Sequence, residues 1–197
     1  MKSVALAAAG SAALAATAAA AAPAGDAFAG PYAGAEAGLV EHHIFLETQA
    51  GGTTIDEGYH RSWGAGGGAF VGHDFALSRT LRLGGEAGLT LGGETNRVAF
   101  AGGTSLALKP RYGYRLTLRA GAVAGRRLFL FASGGYGGNR YRVTNTAGVT
   151  GVDESGSSFI VGAGAEYRLS PSVGLRLDFK HVDNQSNQLL LGVPVRF

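Results

Sequence analysis

The 197-residue chain contains no cysteine. That absence excludes disulfides, thiolate metal sites and a thiol nucleophile, and it removes the residue to which a bacterial lipoprotein attaches its lipid. Charge is scarce, at 16% of residues. No cluster of Lys and Arg with interleaved aromatics occurs in a loop, so the formal net charge of +3 is poor evidence for a nucleic-acid partner. Beyond the N-terminus no stretch reaches the ~18 apolar residues that a membrane-spanning helix requires. The 34 glycines follow no Gly-X-Y period, which excludes collagen. The run Gly64 to Gly68 is followed by neither Lys-Ser nor Lys-Thr nor a helical pattern, so it is no phosphate loop.

What is present begins with Lys2 and an Ala-rich run from Val4 to Ala22, ending in small-residue sites of the Ala-x-Ala kind. This pattern predicts a cleaved secretory signal peptide over 1–24, with cuts after Ala22 or Ala29 as alternatives. Residues 25–197 then form the mature domain. The exported protein has no helix with which to cross a membrane, so any span must be made of strands.

The rest of the chain reads with a period of two, the period of a strand whose side chains point alternately to opposite faces. The closing stretch is the simplest case. Leu189, Leu191, Val193, Val195 and Phe197 are apolar, while Gln188, Gly192, Pro194 and Arg196 lie between them. Similar alternation marks Tyr32–Val40, Trp63–Phe75, Leu81–Leu91, Leu108–Ala120, Leu128–Gly138, Phe159–Leu169 and Val173–Lys180. The polar connections Glu41–Ser62, Gly92–Ser105 and Asn139–Ser157 are long, and those between them are short. In the fifth strand, an outward set of Leu128, Leu130, Ala132 and Tyr136 sends Ser133, Gly135 and Gly137 inward, together with Phe129 and Phe131.

Charges decide which medium the apolar face meets. A charged side chain facing lipid costs about 2–4 kcal/mol near the bilayer midplane, so charges in a spanning strand should keep one parity. They do: Arg82 with Glu86; Lys109 with Arg111, Arg115 and Arg119; Glu166 with Arg168; Arg176 with Asp178 and Lys180. Random parity would give this agreement about once in 128 trials under a strict two-residue period. The expected fold is all-β: an eight-stranded antiparallel up-and-down transmembrane β-barrel, its last strand pairing with Tyr32–Val40 so that no sheet edge remains.

Several stretches carry a family resemblance. Phe28 to Gly34, Leu81 to Gly88, Arg119 to Gly121, Gly162 to Tyr167, Leu175 to Phe179 and Leu191 to Phe197 resemble the strand patterns of small OmpA/OmpX-like outer-membrane barrel proteins, in order and over essentially all of the mature chain. The resemblance implies a location in the cell outer membrane of a Gram-negative envelope. It also implies contact with outer-membrane lipid and lipopolysaccharide, and passage through periplasmic chaperones to the barrel assembly machinery. The aromatic terminal strand (Leu189, Leu191, Val193, Val195 and Phe197) resembles the signal that this machinery reads.

An eight-stranded barrel is just wide enough for side chains to fill. The inward charges are expected to be Glu36, Arg82, Glu86, Arg111, Arg115, Arg119, Glu166, Arg168, Arg176, Asp178, Lys180 and Arg196. Four are acidic and eight basic, so pairing would be incomplete. Tyr32, Trp63, Tyr167 and Phe179 are expected as aromatic girdle residues at the lipid–water boundaries. The function expected is that of a monomeric, filled barrel with a structural or surface-interaction role, without enzymatic activity, cofactor, metal or nucleic-acid partner. The alternative is a narrow ion pathway or porin-like pore lined by the same charges. A lipid A-modifying hydrolase ranks third: the segment His181 to Ser186 resembles the lipid A deacylase family in part. That would make Ser186 the nucleophile and His181 its base, but Asp183 stands where that family has its serine. A metal site built on His42, His43 and His60 is disfavoured because adjacent residues of an extended chain point apart.

Overall fold

The computed structural model describes residues 28–50, 53–99, 105–145, 152–183 and 186–197. The expected signal peptide lies outside them. The strands are β1 (Gly30–Ala50), β2 (Thr53–Ala76), β3 (Leu81–Gly92), β4 (Asn96–Ala99), β5 (Ser105–Ala124), β6 (Leu128–Asn145), β7 (Val152–Arg168), β8 (Gly174–Val182) and β9 (Ser186–Arg196). Every pairing is antiparallel. β1 pairs with both β2 and β9, and β3 pairs with β5, so eight strands close into a barrel. The short β4 pairs with β5 where β5 rises beyond β3.

The register fixes the width of the lumen. Stepping from Gly30 to Asp74, Gly84, Arg119, Ser133, Gly162, Lys180 and Gln188 leads back to β1 at Val40, ten residues further along the strand. With a rise of ~3.3 Å per residue and ~4.8 Å between strands, that stagger tilts the strands by about 40° and sets the backbone about 8 Å from the axis. Long side chains from opposite walls therefore meet in the middle.

The two faces of the wall are chemically opposite. On β8, Leu175, Leu177 and Phe179 are exposed, whereas Gly174, Arg176, Asp178 and Lys180 are buried. On β5, Leu116 and Leu118 are 67% and 68% exposed, whereas Arg115, Thr117 and Arg119 are buried. An apolar outside around a charged inside is stable only where lipid replaces water as the outer medium. Among the described residues, no outward strand position from the short turns up to the level of Leu39 carries Asp, Glu, Lys or Arg.

The short turns at 77–80, 125–127 and 169–173, together with Gly30 and Phe197, lie at one end, which is periplasmic for an outer-membrane barrel. At the other end the strands run further than expected. The segment expected as a loop over Glu41–Ser62 continues as paired β1 and β2 to Ala50 opposite Thr53, and much of Asn139–Ser157 continues as β6 and β7. β4 sits inside the expected loop Gly92–Ser105. The hairpins extend because antiparallel pairing satisfies backbone polar groups whether or not lipid lies outside. Beyond Leu39, β1 climbs roughly 35 Å along its own path at ~3.3 Å per residue. Residues 51–52, 100–104, 146–151 and 184–185 of the expected loops lie outside the described residues.

Candidate functional site

The inward side chains build one charge network along the axis. β3 supplies Glu86, β1 supplies Glu36, β5 supplies Arg115 and Arg119, and β8 supplies Arg176, Asp178 and Lys180. All are at most 5% exposed. Glu86 is the hub: Arg176 Nη1 donates to its Oε2 at 2.5 Å, Arg115 Nη2 to Oε1 at 3.3 Å, and the Tyr32 hydroxyl to Oε2 at 3.2 Å. Arg119 Nη1 lies 3.8 Å away. Glu36 pairs with Arg115 at 2.8 Å and accepts from Arg176 at 3.4 Å. Lys180 pairs with Asp178, and Arg115 also donates to Thr90 at 3.1 Å.

The periplasmic half has a second hub, Asp74. Arg119 embraces it with two nitrogens, Nε donating at 2.8 Å to Oδ1 and Nη2 to Oδ2, while Arg196 Nη1 reaches Oδ2 at 3.0 Å. Arg196 also donates to Glu166 at 2.9 Å and to the Phe28 carbonyl at 2.9 Å. Aromatic faces cover the guanidiniums. Arg119 stands 4.3 Å from the Tyr32 ring centre and 5.0 Å from that of Phe131, and Arg176 stands 3.7 Å from that of Phe70. Such stacking contributes about 2 kcal/mol where the cation is desolvated. Below lies an apolar seal of Phe28, Val123, Phe129 and Phe131. Gly30, at φ +100°, lets the entering chain turn there, a backbone conformation most L-residues avoid.

Several expectations are corrected. Tyr32, expected in the girdle, is 2% exposed and faces inward, because its even position shares parity with Glu36. Arg111, expected in the lumen, is exposed. The β5–β6 register shifts between Pro110 and Tyr112, and this bulge resets the parity so that Arg111 and Tyr112 both turn out. Lys109, assigned the same inward parity, is exposed as well. Arg168 stays at the periplasmic rim, donating to the Pro171 carbonyl at 2.9 Å and lying 5.6 Å from the Phe28 ring centre. Arg82 is buried but ends on the carbonyls of Ser78 and Leu81, at 2.6 and 2.9 Å. Trp63, Tyr167 and Phe179 are half exposed on the outer wall. Leu189, Leu191 and Val193 also face outward, and the Phe197 amide donates to the Pro31 carbonyl at 3.1 Å.

Asp74 was missed because β2 reads as mostly glycine on that face. The parity of Gly68 and Gly72 would have found it. With Asp74 inside, the linked network holds five carboxylates (Glu36, Asp74, Glu86, Glu166, Asp178) against five cations (Arg115, Arg119, Arg176, Lys180, Arg196). Within this network the charges balance; Arg82 and Arg168 stand apart from it, on carbonyls of the periplasmic turns. Near the outer end a cavity of about 10 Å³, bordered by Thr90, Arg115, Asn139, Lys180 and Gln188, has room for about one water. Above Leu39, where β1 leaves the apolar belt, His42 bonds the Tyr141 hydroxyl at 3.0 Å and the Gly92 carbonyl at 3.4 Å. Burial pushes its imidazole down to about 4, so it is neutral.

The other candidates are not assembled. His181 faces outward and bonds Asn187 at 2.7 Å, whereas Ser186 faces inward and accepts from Asn139 at 3.4 Å. Nucleophile and base are on opposite sides of the wall. His42 points into the lumen, while His43 lies outside on Glu41 at 2.8 Å. The side chains of His60, Glu47, Asp56 and Glu57 lie outside the described residues.

A closed up-and-down barrel of this width, inverted in polarity, is the architecture of small outer-membrane proteins, and the comparisons agree. The family model of the outer membrane protein beta-barrel domain matches residues 9–197. The chain belongs to that family. Its location is the outer membrane. Among solved structures, the barrel is similar to Ail, the attachment invasion locus protein of Yersinia pestis, at 14% identity and a TM-score of 0.51. That match covers 85% of this chain and 99% of the other. It is also similar to Neisserial surface protein A, at 16% identity and a TM-score of 0.52, covering 85% and 97%. One structure of Ail is a complex with the heparin analogue sucrose octasulfate. At these identities the likeness concerns the fold. No curated protein matches the chain.

Proposed function

We propose that this outer-membrane barrel is a monomer with a filled, non-conducting lumen, and that it serves a structural or surface-interaction role in the envelope. The observation that carries this reading is the burial of Glu86, Arg115, Arg119 and Arg176 at no more than 5% exposure across a bore of about 8 Å radius. A pore for hydrated ions needs a continuous wet path; here the guanidiniums stack on Tyr32 and Phe70 and bond to buried carboxylates. The separation of His181 from Ser186 supports a non-enzymatic role. The tall β1–β2 and β6–β7 hairpins support contact with partners outside the cell, since they stand clear of the lipid. Outer-membrane lipid and lipopolysaccharide surround the apolar belt, with Trp63, Tyr167 and Phe179 at its boundaries.

Biogenesis belongs to the same proposal. The signal peptide over 1–24 directs export, periplasmic chaperones carry the unfolded chain, and the assembly machinery reads the terminal strand ending in Phe197. Planar-bilayer recording tests the lumen reading. The expected result is a silent membrane after insertion. Discrete conductance steps that change when Arg115 or Arg119 is replaced would overturn it.

A further inference from the structure

One sector of the outer wall differs from the rest. Across β3, β5 and β6 the outward positions Gly85 and Gly134 leave a groove of about 570 Å³, walled by Leu116, Leu118, Tyr136 and Phe159. A Cβ added at either glycine would meet nothing closer than 3.9 Å, so packing does not require glycine there. Directly above, on β5 and β6, stand the exposed cations Lys109 and Arg140, with Arg111 thrown outward by the bulge. Lys109 lies opposite Arg142, which itself lies opposite Asp153, and Arg140 lies opposite Tyr112. Neither Lys109 nor Arg140 forms an ion pair with a described residue. On the opposite side of the barrel the outward positions at this height include Glu41, His43, Asn187 and Asp183, with Arg61 opposite His43 and close enough to Glu41 to offset its charge, so the net positive charge is concentrated on one sector.

We infer that this sector holds one phosphorylated glycolipid of the outer leaflet, a lipopolysaccharide. Its headgroup phosphate is bound by Lys109 and Arg140 with Arg111 beside them, and one acyl chain lies in the Gly85–Gly134 groove. Two features carry the assignment together. A groove alone fits any acyl chain, and cations alone fit any anion. On the same two strands, stacked in the order cation, Tyr112 and Tyr114, then groove, they match a molecule that is anionic at the surface and apolar below. From Arg140 to Gly134 is six residues, about 20 Å along the strand and about 15 Å along the membrane normal at the barrel's tilt, within reach of one acyl chain. The inference rests on the reading of outer-membrane lipid as a partner and is independent of whether the lumen conducts.

The test is native mass spectrometry of the full-length protein folded in zwitterionic nanodiscs, titrated with bisphosphorylated lipid A at low salt. The expected result is retention of one lipid A per barrel. The double variant Lys109→Ser/Arg140→Ser should weaken retention at least tenfold, and so should Gly134→Leu, with the folded barrel confirmed by heat-modifiable gel mobility. Gly85→Leu replaces Gly134→Leu if the latter does not fold. Lipid A stripped of phosphate should bind at least tenfold more weakly. Retention unchanged in the variants, equal retention of dephosphorylated lipid A, or displacement by equimolar inorganic phosphate would each overturn the site. A conducting lumen in the bilayer experiment leaves every one of these expectations in place, so the two readings fail separately.

Discussion

Replacing Glu86 with Gln keeps the shape of the lumen hub and removes its charge. Glu86 takes hydrogen bonds from Arg176 at 2.5 Å and Arg115 at 3.3 Å, with Arg119 at 3.8 Å and the Tyr32 hydroxyl at 3.2 Å. Without it, Arg176 retains Glu36 at 3.4 Å and Asp178 at 3.7 Å, and the linked network has four carboxylates for five cations. Breaking a buried pair by removing one partner costs about 3–5 kcal/mol, because the remaining charge stays desolvated. At a slope of roughly 2 kcal/mol per molar urea, the unfolding midpoint should fall by about 2 M. The assay is urea titration in lipid vesicles, with the folded fraction read as heat-modifiable gel mobility. Adding Arg176→Met restores the balance of charge, so the double variant should be less destabilised than the sum of the singles by about 1–3 kcal/mol. A midpoint shift below about 0.5 M for Glu86→Gln, or strict additivity in the double variant, would refute the network as described.

Two contrasts follow from where the charges ended up. Arg111→Ala should change stability by no more than about 0.5 kcal/mol, as surface substitutions usually do. Arg115→Ala should cost about 3–5 kcal/mol, because it removes the 2.8 Å partner of buried Glu36, which keeps only Arg176 at 3.4 Å, and one partner of Glu86; the same urea titration reads both, and equal effects would contradict the bulge. Deleting Phe197 should lower the amount of barrel reaching the outer membrane more than it lowers the stability of barrels already folded. Normal outer-membrane levels of that deletion would remove the terminal strand from its assembly role.

The belt was legible because lipid imposes a rule on each spanning strand separately. Arg176, Asp178 and Lys180 can share one face of β8 only if the other face is apolar throughout, and Leu175, Leu177 and Phe179 are that face. The rule lapses where lipid ends. Above Leu39 a strand is free to be polar on both sides, so residues 41–50 and 53–62 carried the composition of a loop while pairing as β1 and β2. Parity also fails across a bulge, which is how Arg111 was misplaced by one position. Asp74 escaped for a different reason: a single charge on a strand of glycines has no second charge to agree with. Tyr32 shows the limit of reading side-chain type ahead of position. An aromatic near a strand end suits a girdle, yet its parity put it over Arg119. Phe129 and Phe131 sit inside beside Phe28 at the periplasmic mouth, the Phe28 ring lying 5.5 Å from that of Phe129 at a tilt of 32°. That contact joins residues about a hundred positions apart, and no local pattern announces it.

In the proposed filled lumen the charges are paired and sealed from water. The direct measurement is hydrogen exchange of arginine Nε–H signals by NMR on the folded barrel transferred to heavy water. Arg119 donates its Nε–H to Asp74 at 2.8 Å and Arg196 to Glu166 at 3.3 Å, both from side chains 2–4% exposed. Their signals should persist for hours while those of the exposed Arg126 and Arg127 vanish at once. Loss of the Arg119 and Arg196 signals as fast as those of the turn arginines would contradict a sealed lumen.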